Sequence, residues 1–179
     1  MSSGRLLGIC GSLREGSFNR KLLMEAKSAF DPETFVFADL RLPLYDGDLE
    51  TAEGIPEGVQ RLADQIAEAD AVLICSPEYN KSISGVLKNA LDWISRTDGS
   101  PWRDKPVAIM SANAGRSGGE RGQLILRESL VPFRPLLLTG PEVFVAGAPK
   151  QFDGETLINE LNRKAMTELM SELRKFARL

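Results

Sequence analysis

Apolar positions recur along this chain on two different periods. The run RLLGIC, Arg5–Cys10, is short, apolar and closed by Gly11, the pattern of a buried strand running into a turn. From Ser17 the period changes. Phe18, Leu22, Leu23, Ala26, Ala29 and Phe30 recur at helical spacing, and Ser17 stands where an N-cap belongs. TFVFADL (34–40) predicts a second strand, and residues 41–58 a loop. Val59, Leu62, Ala63, Ile66 and Ala67 predict an amphipathic helix. DAVLICS (70–76) is apolar almost throughout, as a parallel strand covered on both faces must be. Ile83, Val86, Leu87, Ala90, Leu91 and Ile94 form the next helical stripe, and Ser82 or Ser84 is placed to cap it. KPVAIMSA (105–112) predicts a fourth strand, with a less regular helix over 123–131. RPLLLT and EVFVA supply the last strand positions, and Gly140-Pro141 is placed to break one of them. Ile158, Leu161, Ala165, Leu169, Leu173 and Phe176 mark one face of a closing helix.

Strand and helix alternating in this way predict an α/β fold, a parallel sheet with helices on both faces and right-handed crossovers. With no internal repeat, low-complexity tract or long linker, residues 1–179 read as a single domain. Open parallel sheets bind ligands beyond the carboxyl ends of their strands. Here those ends are the loops 11–17, 76–82 and 113–119, all rich in small or polar residues.

Composition narrows the chemistry. A net charge of -3 argues against a nucleic-acid or membrane-surface binder, which needs a basic field. There are no histidines, so a His triad, a His-ligated metal and a His general base are all excluded. Cys10 and Cys75 are too few for a structural zinc site. Both end apolar runs and read as buried thiols, with a redox role as the alternative. No signal-peptide pattern is visible and no apolar stretch is long enough to span a bilayer, so a soluble cytoplasmic protein is expected.

The first loop lacks the G-x-G-x-x-G of a dinucleotide fold and the Gly-Lys-Ser/Thr of a triphosphate loop. Cys10 and Arg14 are too close in sequence for a cysteine-phosphatase loop. The loop still offers the Ser12 and Ser17 hydroxyls, the Asn19 amide, the Arg14 guanidinium and the N–H groups of a helix start, a set suited to one small monophosphate. Helix capping by Ser17 and Asn19 and a solvated Arg14 are the plainer alternatives. In the second loop Pro77 stiffens the strand exit. Tyr79 has a ring able to lie against a flat ligand or pack internally, and the backbone amides of residues 78–80 face a ring edge or polyol. In the third loop Gly115, Gly118 and Gly119 admit either close ligand approach or a plain turn, and Arg116 either an anion or solvent.

GSLREGSFNRKL and SPEYNKSISGVLKNALDWISR resemble the signature segments of the NADPH-dependent FMN reductase family, which includes quinone, chromate and azo-dye reductases. LPLYDGDL and NAGRSGG sit where that family has similar loops. The resemblance implies a flavodoxin-like three-layer sandwich with a five-stranded parallel sheet of order 2-1-3-4-5. It implies non-covalent FMN, with NADPH or NADH as cosubstrate. Gly11, Ser12, Arg14, Ser17, Phe18 and Asn19 then belong to the phosphate side of the cofactor. Pro77, Glu78, Tyr79 and Asn80 lie along the ribityl chain and ring, and Ala112, Asn113 and Gly115 near the pyrimidine edge. A small-molecule electron acceptor such as a quinone, chromate, azo compound or free flavin, and a homodimer or homotetramer, are implied with it. Because a flavin carries the redox chemistry itself, no side chain is nominated as catalytic, in keeping with a chain that has no histidine. Arg116 and Ser117 depart from the bulkier apolar residues of some relatives.

Three rivals predict different observations. An FMN electron carrier would not oxidise NAD(P)H. An NAD-binding Rossmann enzyme would use Asp39, after the second strand, for a ribose and show no flavin spectrum. A non-enzymatic domain that keeps only the fold would not bind FMN.

Overall fold

The computed structural model describes residues 4–179. Strand β1 (Arg5–Cys10) leads into helix α1 (Phe18–Phe30) and returns as β2 (Thr34–Phe37). Helices α2 (Gly47–Glu53) and α3 (Glu57–Glu68) precede β3 (Ala71–Cys75). Helix α4 (Gly85–Ile94) connects to β4 (Pro106–Asn113), and α5 (Glu120–Leu130) follows. The main sheet is parallel with order β2-β1-β3-β4-β5, where β5 is Leu136–Leu137. Its fifth position is split. β5 pairs with β4 at Pro106 and Val107, whereas β6 (Phe144–Ala146) pairs with the far end of β4 at Ser111, Ala112 and Asn113. The Gly140-Pro141 break lies between the two halves.

Alternate strand residues separate the two faces. Leu6, Cys10, Leu73, Cys75, Ala108 and Met110 belong to the core packed with α1 and with the closing helix α6 (Glu160–Phe176). Leu7, Ile9, Val72, Ile74, Val107 and Ile109 belong to the core packed with α3, α4 and α5. β3 is fully buried along its length, which explains its unbroken apolar run.

Three expectations are corrected, and one element was not foreseen. β2 stops at Phe37 rather than running to residue 40; it is an edge strand with no fully buried position, Thr34 being exposed and the rest half-buried. The 41–58 loop contains α2, which buries none of its residues and so carries no hydrophobic period; Asp46 starts it by accepting from the Asp48 N–H. On α6 the buried face is Met166, Leu169, Met170 and Leu173. Ile158, Leu161 and Phe176, assigned to that face from their spacing, are exposed, and Ile158 precedes the helix. A hairpin of β7 (Phe152–Asp153) and β8 (Thr156–Leu157) is also present. Two-residue strands are too short to show a period. The hairpin rests on α1: the Phe18 and Phe152 rings lie 5.6 Å apart, and Lys21 donates to the Gly154 carbonyl at 2.6 Å and pairs with Glu155 at 3.0 Å.

Candidate functional site

The carboxyl ends of β1, β3 and β4 lie side by side and are joined by backbone hydrogen bonds. Gly11 N–H donates to Cys75 O at 2.8 Å, and Ser76 N–H to Met110 O at 3.1 Å. A Cβ at Gly11 would come within 2.6 Å of Ser76 Oγ, so the first loop leaves the sheet only because this residue has no side chain.

In that loop Arg14 is exposed, and among the described residues it enters no ion pair. Ser12 is half-buried, and its Oγ accepts from the Arg14 N–H at 3.4 Å. Ser17 occupies the N-cap of α1 in extended conformation, yet its side chain makes no capping bond. The capping alternative therefore does not account for this hydroxyl. The first turn of α1 keeps N–H groups that no side chain caps, which is the arrangement that receives a phosphate. Phe18 stacks sideways on the hairpin, as described.

Asn19 does something else. Its carboxamide is buried: Nδ2 donates to Ala112 O at 2.8 Å, and Oδ1 accepts from Ala112 N–H at 2.9 Å. The carboxamide is thereby engaged with β4. The side chain clasps the start of α1 to the end of β4.

In the second loop Pro77 is buried. Tyr79 and Ser82 exchange backbone hydrogen bonds of 2.9 and 3.0 Å around Asn80 and Lys81, both at positive φ. Two central residues of this sign mark a tight I′-type turn. The Tyr79 side chain is 47% exposed, which rules out internal packing as its role. Of the three amides expected to meet a ligand, Glu78 N–H is bonded to Asn113 Oδ1 at 3.0 Å and Tyr79 N–H to Ser82 O. Among the described residues only the Asn80 N–H of the three remains without a partner. Ser84, not Ser82, caps α4 through Leu87 N–H at 3.4 Å.

In the third loop Ala112 is buried, Asn113 half-buried, and Gly115, Arg116 and Ser117 exposed. Gly118 and Gly119 are structural requirements. Both have positive φ, and side chains there would meet Phe144 backbone at 2.8 Å and Ser111 Oγ at 2.7 Å. Two supporting residues escaped the sequence reading. Ser111 Oγ donates to Gly118 O at 2.6 Å, while Gln123 Nε2 donates to Ser111 Oγ at 2.8 Å and Val143 O at 2.9 Å. Both side chains are buried. Their only signal was polarity within an otherwise apolar strand and on the inner side of a helix.

Two neighbouring features bear on the rival readings. Asp39 accepts from Arg41 N–H at 3.0 Å and pairs with its guanidinium at 3.3 Å, and that guanidinium also donates to Leu13 O at 3.5 Å, so Asp39 is engaged in shaping the turn after β2. Burial pushes the Cys10 thiol up, only partly opposed by the Ser12 N–H, the Ser17 hydroxyl and Arg20. Burial and then Cys10 push Cys75 well up. Both remain thiols, against a thiolate-based redox role. The LPLYDGDL loop is fastened to α4: Pro43 O accepts from Trp93 Nε1 at 2.8 Å and Asn89 Nδ2 at 2.9 Å, leaving Leu44 exposed.

Comparison with known proteins decides among the readings. Residues 5–150 match the family described as NADPH-dependent FMN reductase. The chain belongs to the NADPH-dependent FMN reductase family. It is 41% identical over 177 residues to an NAD(P)H-dependent FMN reductase of Pseudomonas aeruginosa, covering 97% of this chain and 95% of that one. It is 40% identical over 157 residues to a quinone reductase of Escherichia coli, covering 85% and 82%. Among solved structures it is similar to FerB of Paracoccus denitrificans, a flavoenzyme NAD(P)H:(acceptor) oxidoreductase, with a TM-score of 0.87 and 28% identity over 98% and 97% of the two chains. As a member of the FMN reductase family the chain is an NAD(P)H-dependent flavin oxidoreductase acting on a small-molecule acceptor. None of its described helices is long and apolar enough to cross a membrane.

The residues present fit FMN. A helix start without a side-chain cap and an exposed arginine suit its phosphate, and an exposed tyrosine beside an amide that has no partner among the described residues suits its ring.

Proposed function

We propose that residues 1–179 act as a single cytoplasmic flavin-binding domain that reduces quinones and related acceptors at the expense of NAD(P)H. Ser12, Arg14 and Ser17 hold the cofactor phosphate, while Asn80 and Tyr79 meet the ring. The observation that carries this reading is the pairing of an uncapped, donor-rich start of α1 with the tight 79–82 turn, brought to one edge of the sheet by β1 and β3. FMN, when bound, supplies the group that accepts and releases hydride. The chain contributes binding, orientation and electrostatics. Arg14 and the α1 N–H groups offset phosphate charge. Asn19 fixes the phosphate side relative to the ring side through Ala112. Gly115, together with the exposed Arg116 and Ser117, borders the face open to NAD(P)H and acceptor.

The exposed Leu13, Leu44 and Tyr79 on the strand-end loops favour cover by a second copy, hence a homodimer or homotetramer. Light scattering after size exclusion tests this, and a strictly monomeric species refutes it. For the activity, FMN-loaded protein is assayed with NADH and NADPH against benzoquinone, chromate, an azo dye and free FMN. Turnover highest with the quinone and parallel-line kinetics are expected. Flavin binding without NAD(P)H oxidation would leave an electron carrier instead.

A further inference from the structure

We propose that the Glu78 side chain is a positioning residue that seats the 77–82 loop on the first turn of α5 and thereby sets where Asn80 N–H and the Tyr79 ring stand for the flavin. The inference rests on the flavin reading above. The backbone hydrogen bonds of the 77–82 turn, Tyr79 N–H to Ser82 O and Ser82 N–H to Tyr79 O, are internal to the loop, so they hold its shape and its placement needs an external support. Glu78 provides it twice. Its N–H is held by Asn113 Oδ1 at 3.0 Å, and Asn113 Nδ2 in turn reaches Gly118 O at 3.3 Å. Its carboxylate crosses to α5 and accepts from Gly122 N–H at 3.0 Å.

That bond meets a specific need. The N-cap of α5 is Gly119, which has no side chain to cap the helix, and Gly122 is its third residue. Its N–H is one of the donors a helix start leaves unpaired. The cap therefore comes from Glu78, 44 positions earlier in the chain, and a carboxylate suits the positive end of a helix. The backbones also approach closely here: a Cβ at Gly122 would lie 3.1 Å from Glu78 Cβ and 3.3 Å from its Cα. The two residues form a matched seat, a glycine on the helix and a carboxylate on the loop. The bonded oxygen faces the helix, so the side chain acts on the flavin through the loop and not by contact.

The test compares FMN and riboflavin binding, by quenching of flavin fluorescence, in wild type, Glu78→Ala, Glu78→Gln and Gly122→Ala, with visible circular dichroism of the bound flavin. Loss of a charge-assisted hydrogen bond that fixes the loop is expected to raise both dissociation constants about tenfold in Glu78→Ala, by the same factor, and to change the dichroism of the ring. Glu78→Gln keeps an acceptor for Gly122 N–H and is expected to restore the wild-type spectrum. Should Glu78→Ala not fold, Gly122→Ala decides, since it keeps the carboxylate but pushes the loop off its seat and should give the same ring signature. An unchanged spectrum with unchanged affinities, or a loss confined to FMN, overturns the proposal. Wild-type protein that binds neither flavin overturns the flavin reading itself.

Discussion

Ser17 and Asn19 are two residues apart, and sequence alone assigns them one role. The fold divides them. Ser17 stands at a helix start without capping it, whereas Asn19 turns inward to Ala112. The division predicts different phenotypes. Arg14→Ala with Ser17→Ala should weaken FMN binding by roughly ten- to a hundredfold, the worth of one or two charge-assisted bonds. Riboflavin binding, measured in the same titration, should barely move. Asn19→Ala should instead cost about 2–3 kcal/mol of stability, because it leaves a buried N–H and C=O of Ala112 unpaired; urea unfolding of the flavin-free protein measures it. The thiols have their own pH signature. Both are raised by burial, so below about pH 8.5 they are protonated folded or unfolded and contribute no slope. Above it the unfolded chain releases protons that the native state retains, and stability should fall by up to about 1.4 kcal/mol per pH unit for each thiol. Iodoacetamide at pH 8 should label neither cysteine until the protein unfolds.

Elements were legible to the degree that they bury a face. β3 and α3 could be read from apolar period alone, since every β3 residue is buried and α3 buries Val59, Leu62, Ala63 and Ile66. α2 has no fully buried residue, only Leu49 leaning on the core, and was invisible. On α6 the right helix was found with the wrong rim: Met166 and Met170, not Leu161 and Phe176, complete its inner face, and spacing by itself does not say which of two adjacent stripes faces the sheet. The three site loops could be located because strand ends locate them. Their internal wiring through Ser111, Asn113 and Gln123 could not, because hydrogen bonds between distant loops leave no local period. That wiring makes the third loop intolerant of side chains at its glycines. Gly119→Ala, at φ 99 and against Ser111 Oγ, should destabilise by at least about 2 kcal/mol and lower the thermal midpoint. An alanine at Gly115, which has open space around it, should leave that midpoint unchanged.

Across the whole molecule, hydrogen bonds within the protein link the elements that carry the three loops. The start of α1 holds the end of β4 through Asn19, β4 holds the 77–82 loop through Asn113, and that loop holds α5 through Glu78. The tethers of this rim run in a chain from α1 on one helical layer to α5 on the other. A cofactor entering such a rim has little chain to order, so most of its interaction energy remains as affinity instead of being absorbed by folding loops around it. Flavin exchange would then be governed by the departure of the cofactor itself, the rim being held by bonds within the protein.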